Sequence, residues 1–157
     1  MAGGNFRDAM ARHAAAVAVV SALQSGGFRG LTATSFTSAS MEPPLVLVCL
    51  DRFAQTRDAV EEAGEFNVSL LARDQEFLAE RFAARAPLVD PSWREVPHRL
   101  GGNGVPLLEG GVAWFECRLQ EMRPAGDHDI ALGLVIDSGW APGDPLILWD
   151  RAFWRLS

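Results

Sequence analysis

A chain of 157 residues can bury a substantial core as one domain, and 48% hydrophobic residues place it among compact globular proteins. A net charge of −6 with a pI near 5.0, and no cluster of Lys and Arg, argue against nucleic acid as a partner. No apolar run approaches the ~20 residues of a membrane span, and the opening MAGGNFRDAM lacks the layout of a signal peptide. The expectation is a single domain over residues 1–157, cytoplasmic and without a membrane contact.

Fifteen glycines and nine prolines punctuate the chain often enough to favour many strands over a helix bundle. Asn5 predicts a capped short helix to about His13, with Phe6 and Met10 on one face. Ala15 to Leu23 reads as a strand ending at the turn signal Gln24-Ser25-Gly26-Gly27, and Phe28 to Phe36 as its hairpin partner. Met41-Glu42-Pro43-Pro44 interrupts any helix. Leu45 to Leu50 follows as a strand buried at successive positions. Thr56 predicts the N-cap of a helix through Ala63 that Gly64 stops.

Phe66 to Leu71 returns to strand, and Asp74 predicts the cap of an amphipathic helix carrying Phe77, Leu78, Arg81 and Phe82. Pro87 to Pro106 reads as a long loop with a short strand near Trp93. The remainder is strand-rich: Gly111 to Met122, Ile130 to Ser138, Leu146 to Trp149 and Phe153 to Arg155. Closely spaced antiparallel strands favour a barrel.

The densest chemical signal is Gly30 to Thr56. Thr32 and Thr34 share one face of an extended strand and Leu31, Ala33 and Ser35 the other, so one hydroxyl-lined face can bond a polar planar ligand. Equally, Ser and Thr are ordinary residues of a solvated strand face. Between Asp51 and Thr56 a strand runs into a helix start whose backbone N–H groups suit a phosphate, assisted by Thr56 and by Arg52 or Arg57, although Thr56 as a mere cap accounts for the same spacing. His128, flanked by Asp127 and Asp129 at a turn, matches a solvated surface histidine as well as a functional one. Cys49 and Cys117 read as buried thiols, and no metal-ligand spacing occurs. Gly101-Gly102-Asn103-Gly104 lacks the flanking strand and helix of a nucleotide loop.

Taken together, HAAAVAVVSA, GLTATSFTSASMEPPLVLVCLDR, FNVSLLARDQEFLAERFA, GVPLLEGGVAWFECRL and AGDHDIALGLV resemble the flavin reductase family, the reductase components of two-component flavin-dependent monooxygenases. The resemblance covers nearly the whole chain. It implies a mainly β fold, a Greek-key split β-barrel with a few short helices. It also implies a homodimer that binds FMN or FAD, takes hydride from NADH or NADPH, and passes reduced flavin to a partner monooxygenase. Carried over by position, Thr32, Ala33, Thr34 and Ser35 lie along the isoalloxazine and ribityl chain, and Cys49, Leu50 and Asp51 lie beside it. Ala54, Gln55 and Thr56 receive the phosphate, and His128 stands near the nicotinamide. No residue is implied as acid, base or nucleophile, and no metal is required.

Two departures stand out. Ala54 occupies a position where the family often has Ser. The end WDRAFWRLS replaces a pattern with Tyr, His and Gly at Trp149, Asp150 and Ala152 and Tyr at Trp154, and the chain has no tyrosine. For a 2′-phosphate, Arg12, Arg85 and Arg123 are candidate donors. The competing expectations are a non-enzymatic flavin- or haem-binding barrel, and a structural subunit using the 87–106 loop as its contact surface.

Overall fold

The computed structural model describes residues 2–83 and 93–157. Seven antiparallel strands make the main sheet: β2 (Ala18–Gln24), β3 (Gly27–Ala33), β4 (Thr37–Ser40), β5 (Leu45–Asp51), β6 (Glu65–Leu70), β9 (Ala113–Ala125) and β10 (His128–Trp140). Their order across the sheet is β3-β2-β6-β9-β10-β5-β4. β1 (Ala15–Ala16), β11 (Ile147–Trp149) and β12 (Ala152–Trp154) form a small second sheet, and β7 (His98–Leu100) pairs with β8 (Pro106–Leu108). The helices are α1 (Ala2–Met10), α2 (Gln55–Ala63) and α3 (Glu76–Arg81).

The sheet order forces curvature. β3 and β4 are its opposite edges, yet only Thr34, Ser35 and Phe36 join them. Laid flat, seven strands would hold those edges roughly 28 Å apart, whereas the step from Ala33 to Thr37 spans at most about 14 Å. The sheet therefore rolls into a barrel. At the seam a side chain continues the ladder: the pairing Thr37↔Leu47 runs on in register to Ser35 and Cys49. There the Ser35 hydroxyl accepts from the Cys49 N–H (2.9 Å) and donates to the Cys49 carbonyl (3.1 Å). Among the described residues no backbone ladder joins β3 to β4, so the barrel is split there.

β2 is buried on both faces. Ala18, Val20 and Ala22 point into the barrel with Val46, Val48, Leu50, Phe66, Val68, Cys117 and Ala131. Val17 and Val19 point outward into a second core with Leu71, Leu78, Phe82, Trp93 and Leu146. α3 belongs to that second core and is tied to β3 by its orphan carbonyls: the Thr32 hydroxyl donates to Ala79 O (2.6 Å) and the Thr32 N–H to Phe82 O (3.0 Å). The glycine-rich 101–104 segment clasps the outer face of β6 and β9. Its Asn103 N–H donates to buried Glu116 (3.2 Å), and its side chain exchanges amide hydrogen bonds with Asn67.

Several local expectations are corrected. α1 begins before Asn5, and Phe6 and Met10 are exposed. The second hairpin strand stops at Ala33, before the seam residues. β5 alternates, with Val46, Val48 and Leu50 buried and Leu45, Leu47 and Cys49 half-buried, because only one face meets the barrel interior. Ala54, not Thr56, is the N-cap of α2 and gives no side-chain cap bond, while Gly64 ends the helix at φ 70°. Gln75, not Asp74, precedes α3; its amide accepts from Ala72 N–H (2.8 Å) and donates to Glu109 O (2.8 Å). Phe77 faces solvent. The short strand of the 87–106 loop is β7, and Trp93 instead packs with Phe28, Phe82 and His98. Residues 84–92, with Arg85, lie outside the described residues.

Two outcomes follow. Ser35→Ala leaves both Cys49 backbone groups without their partner and lowers stability by about 1–3 kcal/mol in urea denaturation. Cys117 is wholly buried and its thiol is pushed up to about 12 by desolvation, then by the charge of Glu116. It resists alkylation at pH 8 in the folded protein and reacts only after denaturation, as peptide mass spectrometry reads directly.

Candidate functional site

The strand β5, the start of β10 and the start of α2 meet at one rim of the barrel. Register places Asp51 opposite His128, Leu50 opposite Asp129 and Cys49 opposite Ile130. Alternation then sorts the side chains: Cys49, Asp51, His128 and Ile130 share the outer face, while Leu50 and Asp129 turn inward and are buried. Leu50 therefore offers a ligand only its backbone, and the same holds for Ala33, which packs in the barrel core. Thr32 has given its hydroxyl proton to α3, Thr34 is exposed, and Ser35 spends its hydroxyl on Cys49. The side chains that the fold leaves at the outer rim are Thr34, Asp51, Gln55 and His128.

A buried charge organises this rim. The Asp129 carboxylate accepts from Arg57 Nε at 2.7 Å and sits 3.6 Å from Arg52 Nη2. Arg57 also contacts Asp58 (3.2 Å) and Glu61 (3.0 Å). Burial tends to lower the Arg57 pKa, but hydrogen bonds to Asp129, Glu61 and Asp58 hold it above the usual value. Arg57 is thus committed to carboxylates and is no phosphate donor, which corrects one of the two arginine expectations. Arg52, with a side chain 41% exposed, remains beside the site.

The turn between Asp51 and Thr56 is built by local bonds. The Asp51 carboxylate accepts the Phe53 N–H (2.8 Å) and its carbonyl the Ala54 N–H (3.1 Å). Ala54 O takes the N–H groups of Arg57 and Asp58, so those of Gln55 and Thr56 have no partner within the helix. Thr56 is 4% exposed, and its hydroxyl makes no hydrogen bond among the described residues. Two orphan N–H donors and one orphan hydroxyl at an uncapped helix start suit an oxyanion. A separate hollow of about 400 Å³, lined by Leu23 to Phe28 with Glu62 and Ala63, lies at the other end of the β2–β3 hairpin and shares no residue with this rim.

The acids flanking His128 do different work, which sequence did not separate. Asp127 bonds the His128 ring (Nδ1···Oδ1 2.7 Å), whereas Asp129 anchors α2 from below. His128 is also the first residue of β10, half-buried, rather than a turn residue.

The model of the flavin reductase like domain matches residues 10–157. The chain belongs to the flavin reductase-like family. It is 47% identical over 152 residues to an actinorhodin polyketide dimerase of Streptomyces coelicolor, covering 96% of this chain and 84% of that protein. It is 39% identical to the reductase component of a 4-hydroxyphenylacetate 3-monooxygenase of Thermus thermophilus, covering 96% and 95% of the two chains. The structure of the NADH:FAD oxidoreductase SgcE6 of Streptomyces globisporus, in complex with NAD and FAD fragments, superposes with a TM-score of 0.89 at 33% identity, covering 98% of this chain and 92% of that one. The mainly β architecture is thus that of the family.

Within this flavin reductase-like chain, Trp149 and Trp154 have backbone partners of their own. Trp149 Nε1–H donates to Arg12 O (3.1 Å), and Trp154 Nε1–H to Trp149 O (2.8 Å). Arg12 lies 4.3 Å over the Trp149 ring and pairs with Asp150, and Arg123 is held by Glu121 at 2.7 Å. Two of the three arginine candidates for a 2′-phosphate, Arg12 and Arg123, therefore already have partners; the third, Arg85, lies outside the described residues.

Asp129→Asn removes the buried charge that Arg57 faces. A loss of roughly 3 kcal/mol in chemical denaturation is expected, with loosened protection of the first turn of α2 in hydrogen exchange.

Proposed function

We propose that the chain is an NADH:flavin oxidoreductase that takes FMN or FAD as a substrate and releases the reduced form to a partner monooxygenase. The observation that carries this reading is the rim itself: orphan donors at Gln55 and Thr56 at one end, His128 at the other, and Asp51 between. The donor set fits a flavin phosphate, since backbone N–H groups and a hydroxyl supply hydrogen bonds, while Asp51 and Asp58 are engaged by the Phe53 N–H and by Arg57. Bound flavin supplies an acceptor for the nicotinamide hydride, so the protein need provide no nucleophile or proton relay. Its residues bind and orient: Gln55 and Thr56 with Arg52 nearby hold phosphate, the Thr34–Ser35 seam and the Cys49–Asp51 strand end line the ring side, and His128 contacts nicotinamide.

Three further points complete the proposal. Residues 1–157 act as one domain. Two copies associate through the outer strip of Leu45, Leu47, Ile130 and Leu132, all half-buried in the single chain. The free thiols suit a reducing compartment such as the cytoplasm; no helix among the described residues is long and apolar enough to cross a membrane. NADH is the favoured donor, which is supported by the pairing of Arg12 and Arg123, two of the three candidate partners for a 2′-phosphate.

Anaerobic titration with NADH in the presence of FMN or FAD tests the reaction: flavin absorbance bleaches in proportion to NADH, and faster than with NADPH. NADH oxidation at the same rate without added flavin rejects the reading, as does a yellow protein that NADH cannot bleach. Thr56→Val weakens flavin binding roughly fivefold, about 1 kcal/mol, in a fluorescence titration, with the fold intact; an unchanged Kd removes Thr56 from the phosphate site.

A further inference from the structure

The contact between Asp127 and His128 carries a consequence for how nicotinamide is recognised. Gly126 and Asp127 form the two-residue turn between β9 and β10, with Ala125 paired to His128 on either side and Gly126 at φ 69°. The turn is pinned from β5, because the Arg52 N–H donates to Asp127 O (3.2 Å). Held this way, the Asp127 carboxylate comes back onto the neighbouring ring at 2.7 Å from Nδ1. An ionised carboxylate only accepts hydrogen bonds, so the nitrogen that faces it carries the proton. The hydrogen bond to His128, followed by the His128 and Arg52 charges, holds the Asp127 carboxyl below its ordinary range, which keeps it an acceptor.

In a neutral ring with Nδ1 protonated, Nε2 has a bare lone pair. Nε2 has no partner among the described residues, and the side chain is 43% exposed at the outer rim. The other charged groups nearby are engaged elsewhere. Asp51, across the ladder on β5, accepts the Phe53 N–H; Arg52 lies by Asp129; Arg123, on β9, is held by Glu121; and Asp129 points inward to Arg57. Asp127 is thus the one side chain bonded to the His128 ring among the described residues.

We infer that Asp127 is a positioning residue that fixes His128 with Nδ1 protonated, so that Nε2 accepts a hydrogen bond from the carboxamide N–H of nicotinamide. This rests on the placement of His128 at the nicotinamide. Without Asp127 the ring redistributes toward the Nε2–H form, which presents a donor to a donor.

Asp127 is fully exposed, so Asp127→Ala is expected to fold, and circular dichroism and the melting temperature check it. Nitrogen-15 shifts of the His128 ring, recorded in the neutral form, report the tautomer: Nδ1–H in the wild type, and a shift toward Nε2–H in Asp127→Ala. In steady state the variant raises the NADH KM roughly fivefold, the worth of one neutral hydrogen bond, with little change in kcat at saturating NADH. The reduced 3-acetylpyridine analogue of NADH, which lacks the carboxamide N–H, supplies the decisive comparison. Wild-type enzyme prefers NADH over the analogue by a similar factor, and Asp127→Ala and His128→Ala both lose that preference.

An unchanged tautomer in Asp127→Ala overturns the inference, and so does a changed tautomer with the preference for NADH intact. His128→Ala with an unchanged NADH KM instead overturns the placement of His128 on which the inference rests. That result is distinct from loss of flavin reduction, which the anaerobic titration reads separately.

Discussion

The structure depends on a closure that backbone pairing does not complete. Three residues link the two edges of a seven-stranded sheet, and their shortness compels the sheet to roll. Where the rolled edges meet, one hydroxyl serves as both donor and acceptor for Cys49. A backbone ladder at that point would require Ser35 to lie flat against β5. A side chain instead lets the main chain stand off while the hydrogen bonds are still satisfied. The seam brings Thr34 and Ser35 beside the end of β5, so residues well separated in the chain share one rim.

A second constraint fixes what the rim presents. α2 leaves β5 through a turn built on Asp51 and is held from beneath by Asp129, reaching Arg57 across 72 positions of sequence. Burying a carboxylate is costly unless it is paired, and Arg57 pairs with it at short range. The helix start is therefore rigidly placed while its own first N–H groups stay unpaired. With Ala54 at the cap there is no side-chain oxygen to occupy them. The absence that weakens the resemblance at Ala54 leaves the backbone donors open to a ligand.

Much of the fold was legible because local chemistry decided it. The Ser25-Gly26 turn needs positive φ at both residues, and both have it. Gly64 ends α2 where a left-handed residue is required. Apolar runs between Pro and Gly punctuation located β9 and β10. The failures have long-range causes. Thr56 resembles a cap in sequence, but the cap position falls two residues earlier, at Ala54, which places Thr56 inside the first turn on the buried face of α2. Asp74 was a plausible cap until the Gln75 amide bridged Ala72 and Glu109. At the site, spacing alone left the Thr32 hydroxyl open to a ligand, and only the tertiary structure shows α3 receiving it 47 residues on. Position-by-position resemblance located the rim, and the structure then separated side chains that face it from those, like Ala33 and Leu50, that reach it by backbone alone.

β2 is a wall common to two interiors, with Val19 and Val20 as adjacent residues facing different cores. Both parities of the strand are buried, and the one polar side chain among the buried residues Ala18 to Ala22, Ser21, keeps its hydroxyl without a partner among the described residues. Residues that touch α3 and residues that touch the barrel lumen are thereby joined in one cooperative unit. The amides of β2 are accordingly those from which solvent is excluded until the whole molecule opens. A change beneath Trp93 then reaches the barrel interior through β2 and through the neighbouring β3, whose Gly30 lies against Phe82 and Trp93, with no contact of its own at the rim.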